Sequence, residues 1–143
     1  MSISVVDWNK ELESATFDSK VGLKITTLTE DDERGTYLTS LMPGKSVTAH
    51  YHAQGCEDYH ILSGTGTIRL LPINSSQHTF ELVCKHLNPR NSFKIPANVI
   101  HQLVNTGNEP LTFIFNCPLA HLREDRFIIE DVEGYLHGKA TIG

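Results

Sequence analysis

The feature that most constrains the fold of this chain is a succession of short strand-like runs, each separated from the next by turn-forming residues. The separating segments are rich in the Gly, Pro, Asn and Ser that turns require. The predicted strands are 22–28, 35–42, 46–52, 57–63, 66–71, 78–87, 92–95, 101–105 and 111–116. Eight or nine short strands with no long helix between them predict an all-β sandwich or jelly-roll β-barrel.

The composition limits the location and partners of the protein. A chain of 143 residues fits one compact domain, and a net charge of −5 argues mildly against nucleic acid and against an anionic membrane surface. No apolar run approaches the roughly 20 residues that span a bilayer, and the N-terminus lacks the pattern of a signal peptide. Cys56, Cys84 and Cys117 are odd in number and widely spaced, which suits a reducing compartment. These features predict a cytoplasmic protein.

His50 and His52 are separated by one residue in a predicted strand. Because side chains alternate between the faces of a strand, both imidazoles project from one face, roughly 6.6 Å apart along the backbone. Glu57 follows a short turn, on the next predicted strand, with Tyr59 and Ile61 on its face. Two imidazoles and a carboxylate in a dry interior are costly to desolvate unless they are paired or metal-bound. The spacing therefore predicts a metal site.

A second stretch supplies a third imidazole. Pro96 opens a turn, His101 follows five residues later at the start of another predicted strand, and Asn105 ends that strand. His101 can therefore reach the same interior from a different wall of the fold.

These two stretches resemble the motifs of the cupin superfamily. The first motif is matched at Gly44, His50, His52, Glu57 and Gly64. The second motif is matched at Pro96, His101 and Asn105, and it departs at two glycine positions that carry Arg90 and Asn98. Asn tolerates left-handed backbone angles, so Asn98 can keep its turn.

The resemblance implies a jelly-roll barrel that holds one divalent transition metal (Fe, Mn, Ni, Zn or Cu) through His50, His52, Glu57 and His101. It implies a single cupin domain over residues 1–143. The barrel core would span about residues 35–118, with N-terminal strands in 1–34 and a C-terminal tail in 119–143. The segment from His121 onward is compatible with a short helix followed by a strand.

Three functions are compatible with such a site. The first is isomerase chemistry on a sugar or sugar phosphate, with Tyr59 as the candidate catalytic residue; the tail REDRFIIEDVEGY resembles the end of some mannose-phosphate isomerase domains. The second is a dioxygenase acting on a small chelating substrate. The third is a non-catalytic module that binds or senses a small ligand, since fold alone does not decide function.

The remaining candidates are assigned to other roles. Phe113 and Phe115 are expected in the core, Cys56 as a small buried residue, and His60 on the outer face. Surface positions are expected for His78, His86, His121 and His137, and solvated positions for Arg69, Arg90 and Lys94. Residues 1–30 contain the alternating runs ISVVDW and GLKITTL, which could add strands to the sheet edge of a neighbour. A homodimer is therefore expected.

Overall fold

The computed structural model describes residues 1–73, 82–130, 132 and 135. The first element is helix α1 (Trp8–Glu13), and a 3₁₀ helix (Leu119–Leu122) precedes the last strand. The strands are β1 (Thr16–Asp18), β2 (Leu23–Glu30), β3 (Arg34–Leu41), β4 (Ala49–Tyr51), β5 (Glu57–Ser63), β6 (Gly66–Pro72), β7 (Val83–Leu87), β8 (Ser92–Ile95), β9 (Val99–Val104), β10 (Leu111–Pro118) and β11 (Phe127–Glu130). Among the described residues, no helix is long and apolar enough to span a membrane.

The strands form two antiparallel sheets. One has six strands in the order β1-β2-β3-β10-β5-β8, and the other has five in the order β11-β4-β9-β6-β7. The inner faces of the sheets bury one apolar core, to which β5 contributes Tyr59 and Ile61, and β10 contributes Phe113 and Phe115. The predicted all-β jelly roll is confirmed, as is the core position of both phenylalanines.

Each of the nine predicted runs overlaps a strand. The runs 57–63 and 92–95 coincide with β5 and β8. The run 78–87 starts outside the described residues and continues into β7. The expected helix and strand in the tail are the 3₁₀ helix and β11, which pairs with β4.

The ISVVDW run adds no strand to the sheets of its own chain, and its pairing with the sheet edge of a neighbour stays a prediction. Residues 1–7 form no strand, and α1 begins at Trp8. The carboxylate of Asp7 accepts hydrogen bonds from the backbone N–H groups of Asn9 (3.0 Å) and Lys10 (3.2 Å), which caps a helix at this point. The GLKITTL run supplies β2, which pairs with β1 and β3 of its own sheet.

The two positions that depart from the second motif keep left-handed backbone angles. Asn98 has a φ of 61° and Arg90 has a φ of 72°. Asn98 therefore keeps its turn, as expected, and Arg90 shows that a long side chain is accommodated in this conformation when it is exposed. Both turns lie beside strands that carry the site: Asn98 precedes β9, and Arg90 N donates to the carbonyl of Ile61 on β5 (2.9 Å).

Candidate metal centre

The sheet pairing brings the predicted ligands together between the two sheets. His50 on β4 and His101 on β9 are direct partners in register, and their ring centroids are 4.3 Å apart. His52 follows the end of β4, and Glu57 begins β5 in the opposite sheet. All four side chains are buried, with 3–6% of their surface exposed. Both sheets therefore contribute to one site.

Each of the three histidines uses one ring nitrogen to fix its orientation. In His50, Nδ1 lies 2.7 Å from the carbonyl oxygen of Thr48. In His52, it lies 2.6 Å from that of Asp125, and in His101 it lies 3.0 Å from that of Val99. Since a carbonyl only accepts, Nδ1 carries the proton and donates it, and Nε2 is left with a free lone pair. Nε2 of His52 and Nε2 of His101 are buried and have no hydrogen-bond partner among the described residues.

Glu57 places its carboxylate beside these two nitrogens. Oε2 lies 3.2 Å from Nε2 of His52, and Oε1 lies 3.6 Å from Nε2 of His101. Two ligand atoms that bind one ion at about 2.1 Å and at right angles are about 3 Å apart, so these separations are close to those of a shared ion. Three imidazole nitrogens and one carboxylate oxygen suit a divalent transition metal. The residues present therefore fit the metal that the fold family implies.

Tyr59 lies on the inner face with Glu57, as predicted, but its hydroxyl is already engaged. It donates to Oε1 of Glu57 over 2.8 Å. Burial, and then the charge of Glu57, raise the pKa of Tyr59 well above 10. At neutral pH the hydroxyl is therefore a proton-bearing donor to the carboxylate.

His121 is the site residue that sequence reasoning missed. It was expected on the surface, but it is fully buried, because the 3₁₀ helix that follows β10 turns its side chain inward. Nδ1 lies 2.8 Å from Oε2 of Glu57, and Nε2 lies 2.6 Å from the carbonyl of Gln54. The ring also stacks on that of His52, with centroids 3.9 Å apart.

Both hydrogen-bond partners of His121 are acceptors, so both ring nitrogens donate and the imidazole is positively charged. Burial opposes this charge, but the hydrogen bonds to Glu57 and Gln54 outweigh it and raise the pKa of His121. Two groups of three residues have ligand atoms within 4.8 Å of one another: His50, His52 and His101 form one, and His52, Glu57 and His121 form the other. A role as a metal ligand would require His121 to give up its proton to Glu57 or to solvent.

The protonation states of the other groups match those that metal binding requires. Burial lowers the pKa of His50 well below 6.5 and that of His101 to about 4, so both are neutral at pH 7. Burial opposes the ionisation of Glu57, but the hydrogen bond from His121 and the adjacent imidazoles of His52 and His101 outweigh it and hold the pKa of Glu57 well below 4.5. Neutral imidazoles and an ionised carboxylate are the forms that bind a metal ion.

Asp125 connects the tail to the site. Its backbone carbonyl accepts from Nδ1 of His52. Its carboxylate accepts from the backbone N–H groups of Ala53 (2.7 Å) and Gln54 (3.0 Å), in the turn between β4 and β5. The segment 119–126 therefore supports His52, Glu57 and the turn that joins them.

A narrow cavity, here called the inner cavity, adjoins the four predicted ligands. Its free volume is about 30 Å³, so it accommodates no more than a few water molecules before its walls move. The lining is largely apolar and includes Val21, Leu23, Ile25, Ile68, Phe113 and Phe115. Tyr59, His121 and Arg126 also line it. A ligand that enters the cavity therefore contacts the histidine and glutamate cluster as well as a mostly apolar wall.

The other candidates lie outside the cluster. His60 is exposed and its Nδ1 is 2.7 Å from Oγ of Ser92, and His86 is exposed on β7, so both have the surface positions that were predicted. His78 and His137 lie outside the described residues. Lys94 is exposed and pairs with Asp58, and its Nζ lies 3.5 Å from Sγ of Cys56, which is partly exposed.

Two antiparallel sheets with three histidines and a glutamate between them define the cupin class. A family model described as "Cupin domain" matches residues 37–117, and the chain belongs to this family. Auxin-binding protein T92 of Nicotiana tabacum is 34% identical over 74 residues, which cover 51% of this chain and 38% of that protein. The chain thus spans well under half the length of this curated relative.

Solved structures show the same fold at low identity. A double-stranded β-helix protein of Klebsiella pneumoniae has a TM-score of 0.66 and 13% identity, covering 91% of this chain and 100% of its own. The capsular polysaccharide assembling protein CapF of Staphylococcus aureus has a TM-score of 0.68 and 19% identity, covering 82% of this chain and 31% of its own. At these identities the likeness concerns the fold.

Proposed function

We propose that this protein binds one divalent transition metal through His50, His52, His101 and Glu57, and binds a small molecule in the inner cavity beside it. The observation that carries the proposal is the pair of buried Nε2 atoms, on His52 and His101, with no hydrogen-bond partner among the described residues. Burying an unpaired polar atom costs free energy, and a metal ion removes that cost by binding the lone pair. When bound, the ion supplies a Lewis acid at the end of the cavity.

The lining of the inner cavity favours a ligand with an apolar body. Leu23, Ile68 and Phe113 offer contact area and no hydrogen bonds. A sugar would leave several hydroxyl groups unpaired against such a wall, which is costly. The apolar wall also excludes water from the cluster, so polar contacts inside it are stronger than in solution.

The engagement of Tyr59 favours binding over isomerisation. Isomerase chemistry on a sugar or sugar phosphate requires a side chain that takes a proton from the substrate and returns it. The hydroxyl of Tyr59 donates to Glu57, and its pKa lies far above neutrality, so it already carries its proton and cannot take another from a substrate. We therefore assign Tyr59 to positioning Glu57. A similarity to a protein named for binding auxin also supports a ligand-binding function.

A dioxygenase acting on a small chelating substrate is the enzymatic alternative, because an apolar cavity beside a redox metal also suits that chemistry. Oxygen consumption by iron-loaded protein with a panel of diketones distinguishes it from binding alone. We also infer a cytoplasmic location, supported by Cys56, Cys84 and Cys117, all of which are free thiols.

Elemental analysis of protein purified without a histidine tag tests the metal site. We expect close to one transition metal per chain, and loss of most of it in His50→Ala and in His101→Ala, because each removes a nitrogen ligand. His60→Ala and His86→Ala are matched controls on exposed strand positions and should keep the metal. Full retention of metal in both His50→Ala and His101→Ala would contradict the proposal.

A further inference from the structure

Arg126 brings a positive charge to the largely apolar inner cavity. It ends the segment that follows the 3₁₀ helix, and only 6% of its side chain is exposed. Among the described residues that line the cavity, it is the one Lys or Arg, and the charged imidazole of His121 already has both ring nitrogens engaged by Glu57 and Gln54. A guanidinium stays charged at any physiological pH, so this charge is permanent.

Arg126 lies where the cavity meets the surface. It lines both the inner cavity and a shallow outer depression, and Ile25 and Leu122 are shared between the two in the same way. The outer depression is also lined by Thr16, Phe17, Asp18, Lys20, Thr27 and Tyr37. The three shared residues therefore lie between the surface depression and the metal-ligand cluster. We call this boundary the mouth of the inner cavity.

An ion pair joins the two sides of this mouth. Nη1 of Arg126 donates to Oδ2 of Asp18 over 2.6 Å, and 22% of the Asp18 side chain is exposed. Asp18 ends β1, so the ion pair connects the N-terminal hairpin, formed by β1 and β2, to the tail segment 119–126. Because the cavity is narrow, a ligand larger than a few water molecules requires the mouth to widen.

Asp18 satisfies only part of the guanidinium. Arginine carries five N–H donors, and Asp18 is the hydrogen-bond partner of Arg126 among the described residues. The remaining guanidinium nitrogens are not among the buried side-chain atoms that lack a partner, so they are open to water, which a ligand acceptor can replace. Carboxylates match the planar guanidinium with two parallel hydrogen bonds.

We propose that Arg126 selects ligands that carry a carboxylate on an apolar body, and that Asp18 competes with the ligand for Arg126 and so keeps the mouth closed. This inference rests on the proposed function, because it takes the inner cavity as the ligand site. It adds the class of ligand, which the four predicted metal ligands do not determine.

A purely structural ion pair makes a different prediction. If the pair only held the tail to the hairpin, loss of either partner would affect ligand binding in the same direction. In the competition described above, Arg126→Gln weakens carboxylate binding, whereas Asp18→Asn strengthens it. Asn at position 18 keeps a side-chain oxygen for the hydrogen bond that Oδ1 accepts from the backbone of Lys20 (3.1 Å), so the turn is preserved.

Isothermal titration calorimetry with benzoate and benzamide, and with hexanoate and hexanamide, tests the proposal on the full chain in metal-free and zinc-loaded forms. We expect each acid to bind at least about tenfold more tightly than its amide in both forms, a factor typical of a hydrogen-bonded charge pair. Arg126→Gln should abolish this preference in the metal-free form and reduce it about tenfold in the zinc-loaded form, where the ion also attracts a carboxylate. Asp18→Asn should increase acid affinity several-fold in both forms. Arg123→Gln, an equal charge change on an exposed residue of the same segment, should leave the preference unchanged.

Equal binding of acid and amide by the wild-type protein would overturn the proposal, as would an unchanged preference in Arg126→Gln. If circular dichroism shows that Arg126→Gln does not fold, the Asp18→Asn arm decides, and unchanged or weaker acid binding there counts against the proposal. The metal content of the same samples is measured separately. A protein that holds one metal but shows no acid preference refutes this inference alone, whereas one without metal refutes the proposed metal site.

Discussion

Glu57 accepts hydrogen bonds from Tyr59 and His121, neither of which belongs to the proposed ligand set. Each carboxylate oxygen keeps a further lone pair that is free to bind a metal ion. The two donors fix the orientation of the carboxylate and therefore the direction of these lone pairs. His121 also brings a positive charge next to a carboxylate that must stay ionised. At the scale of single residues, the site therefore depends on the groups that hold the ligands as well as on the ligands.

His121→Gln should weaken metal binding while keeping the stoichiometry near one metal per chain. An amide can donate to Glu57 or to Gln54, but it carries no charge. Loss of a group that orients a metal ligand typically costs about 10–100-fold in affinity. Competition against a chromophoric chelator measures the affinity, and the visible spectrum of the cobalt-loaded protein reports the ligand set.

Two comparisons make this prediction specific. Tyr59→Phe removes a neutral donor from the same carboxylate and should lower affinity less than His121→Gln does, while His60→Gln should have no effect. A cobalt spectrum that changes in His121→Gln as it does in His101→Gln would mean that His121 is a ligand, and the positioning role would be wrong.

The buried histidines predict how the stability of the metal-free protein depends on pH. The pKa of His101 is about 4 in the folded protein and about 6.5 when unfolded. Between these values the unfolded chain binds more protons, so this group lowers the free energy of unfolding as pH falls. His101→Gln should therefore lose about 2 kcal/mol less stability than wild type between pH 7 and pH 5. Urea unfolding of both proteins at each pH measures the difference, and an equal loss would contradict the assignment.

At the scale of structural elements, the site depends on one strand pair and on one irregular segment. β4 and β9 place His50 opposite His101, and the segment 119–126 accepts the side-chain hydrogen bond of His52 at the carbonyl of Asp125. The strand pair holds its histidines by backbone pairing, whereas the segment depends largely on side-chain hydrogen bonds. The segment is therefore the more sensitive to substitution.

Asp125→Ala should lower both stability and metal affinity. It removes the acceptor for two backbone N–H groups in the turn between His52 and Glu57, which typically costs about 1–3 kcal/mol. Asp31→Ala is a matched control, because Asp31 accepts from the backbone N–H groups of Glu33 (2.8 Å) and Arg34 (2.9 Å) in a different turn. It should lower the melting temperature and leave metal affinity unchanged. Equal metal affinity in both variants would show that the turn does not support the site.

The strands and the four proposed ligands were predictable because they depend on local patterns. Alternation along a strand places His50 and His52 on one face, and turn residues mark where strands end. His121 was not predictable in this way, because its contact with Glu57 spans 64 residues of sequence and no spacing rule marks it. The helix at Trp8 was missed because the capping side chain of Asp7 outweighed the alternating pattern before it.

At the scale of the whole molecule, the N-terminal residues carry apolar side chains that nothing covers in the described part of the chain. Ile3 is 79% exposed and Val5 is 92% exposed. Two runs were predicted to contact another copy of the chain. The GLKITTL run forms β2 and pairs within its own sheet, so the segment 1–7 is the one that is still free to pair with another copy. The outer strands β1, β8, β11 and β7 offer the edges.

We therefore expect a homodimer in which residues 1–7 of each chain lie along a sheet edge of the other. In an extended segment Ile3 and Val5 share one face, and placing them on a neighbour removes both from water. Sedimentation at micromolar concentration should give the mass of a dimer for wild type and of a monomer for the double variant Ile3→Asp/Val5→Asp, with metal content unchanged. Leu62→Asp, at a residue 40% exposed on β5, is the control and should stay dimeric. A monomeric wild-type protein, or a double variant that remains dimeric, would show that this segment does not form the contact.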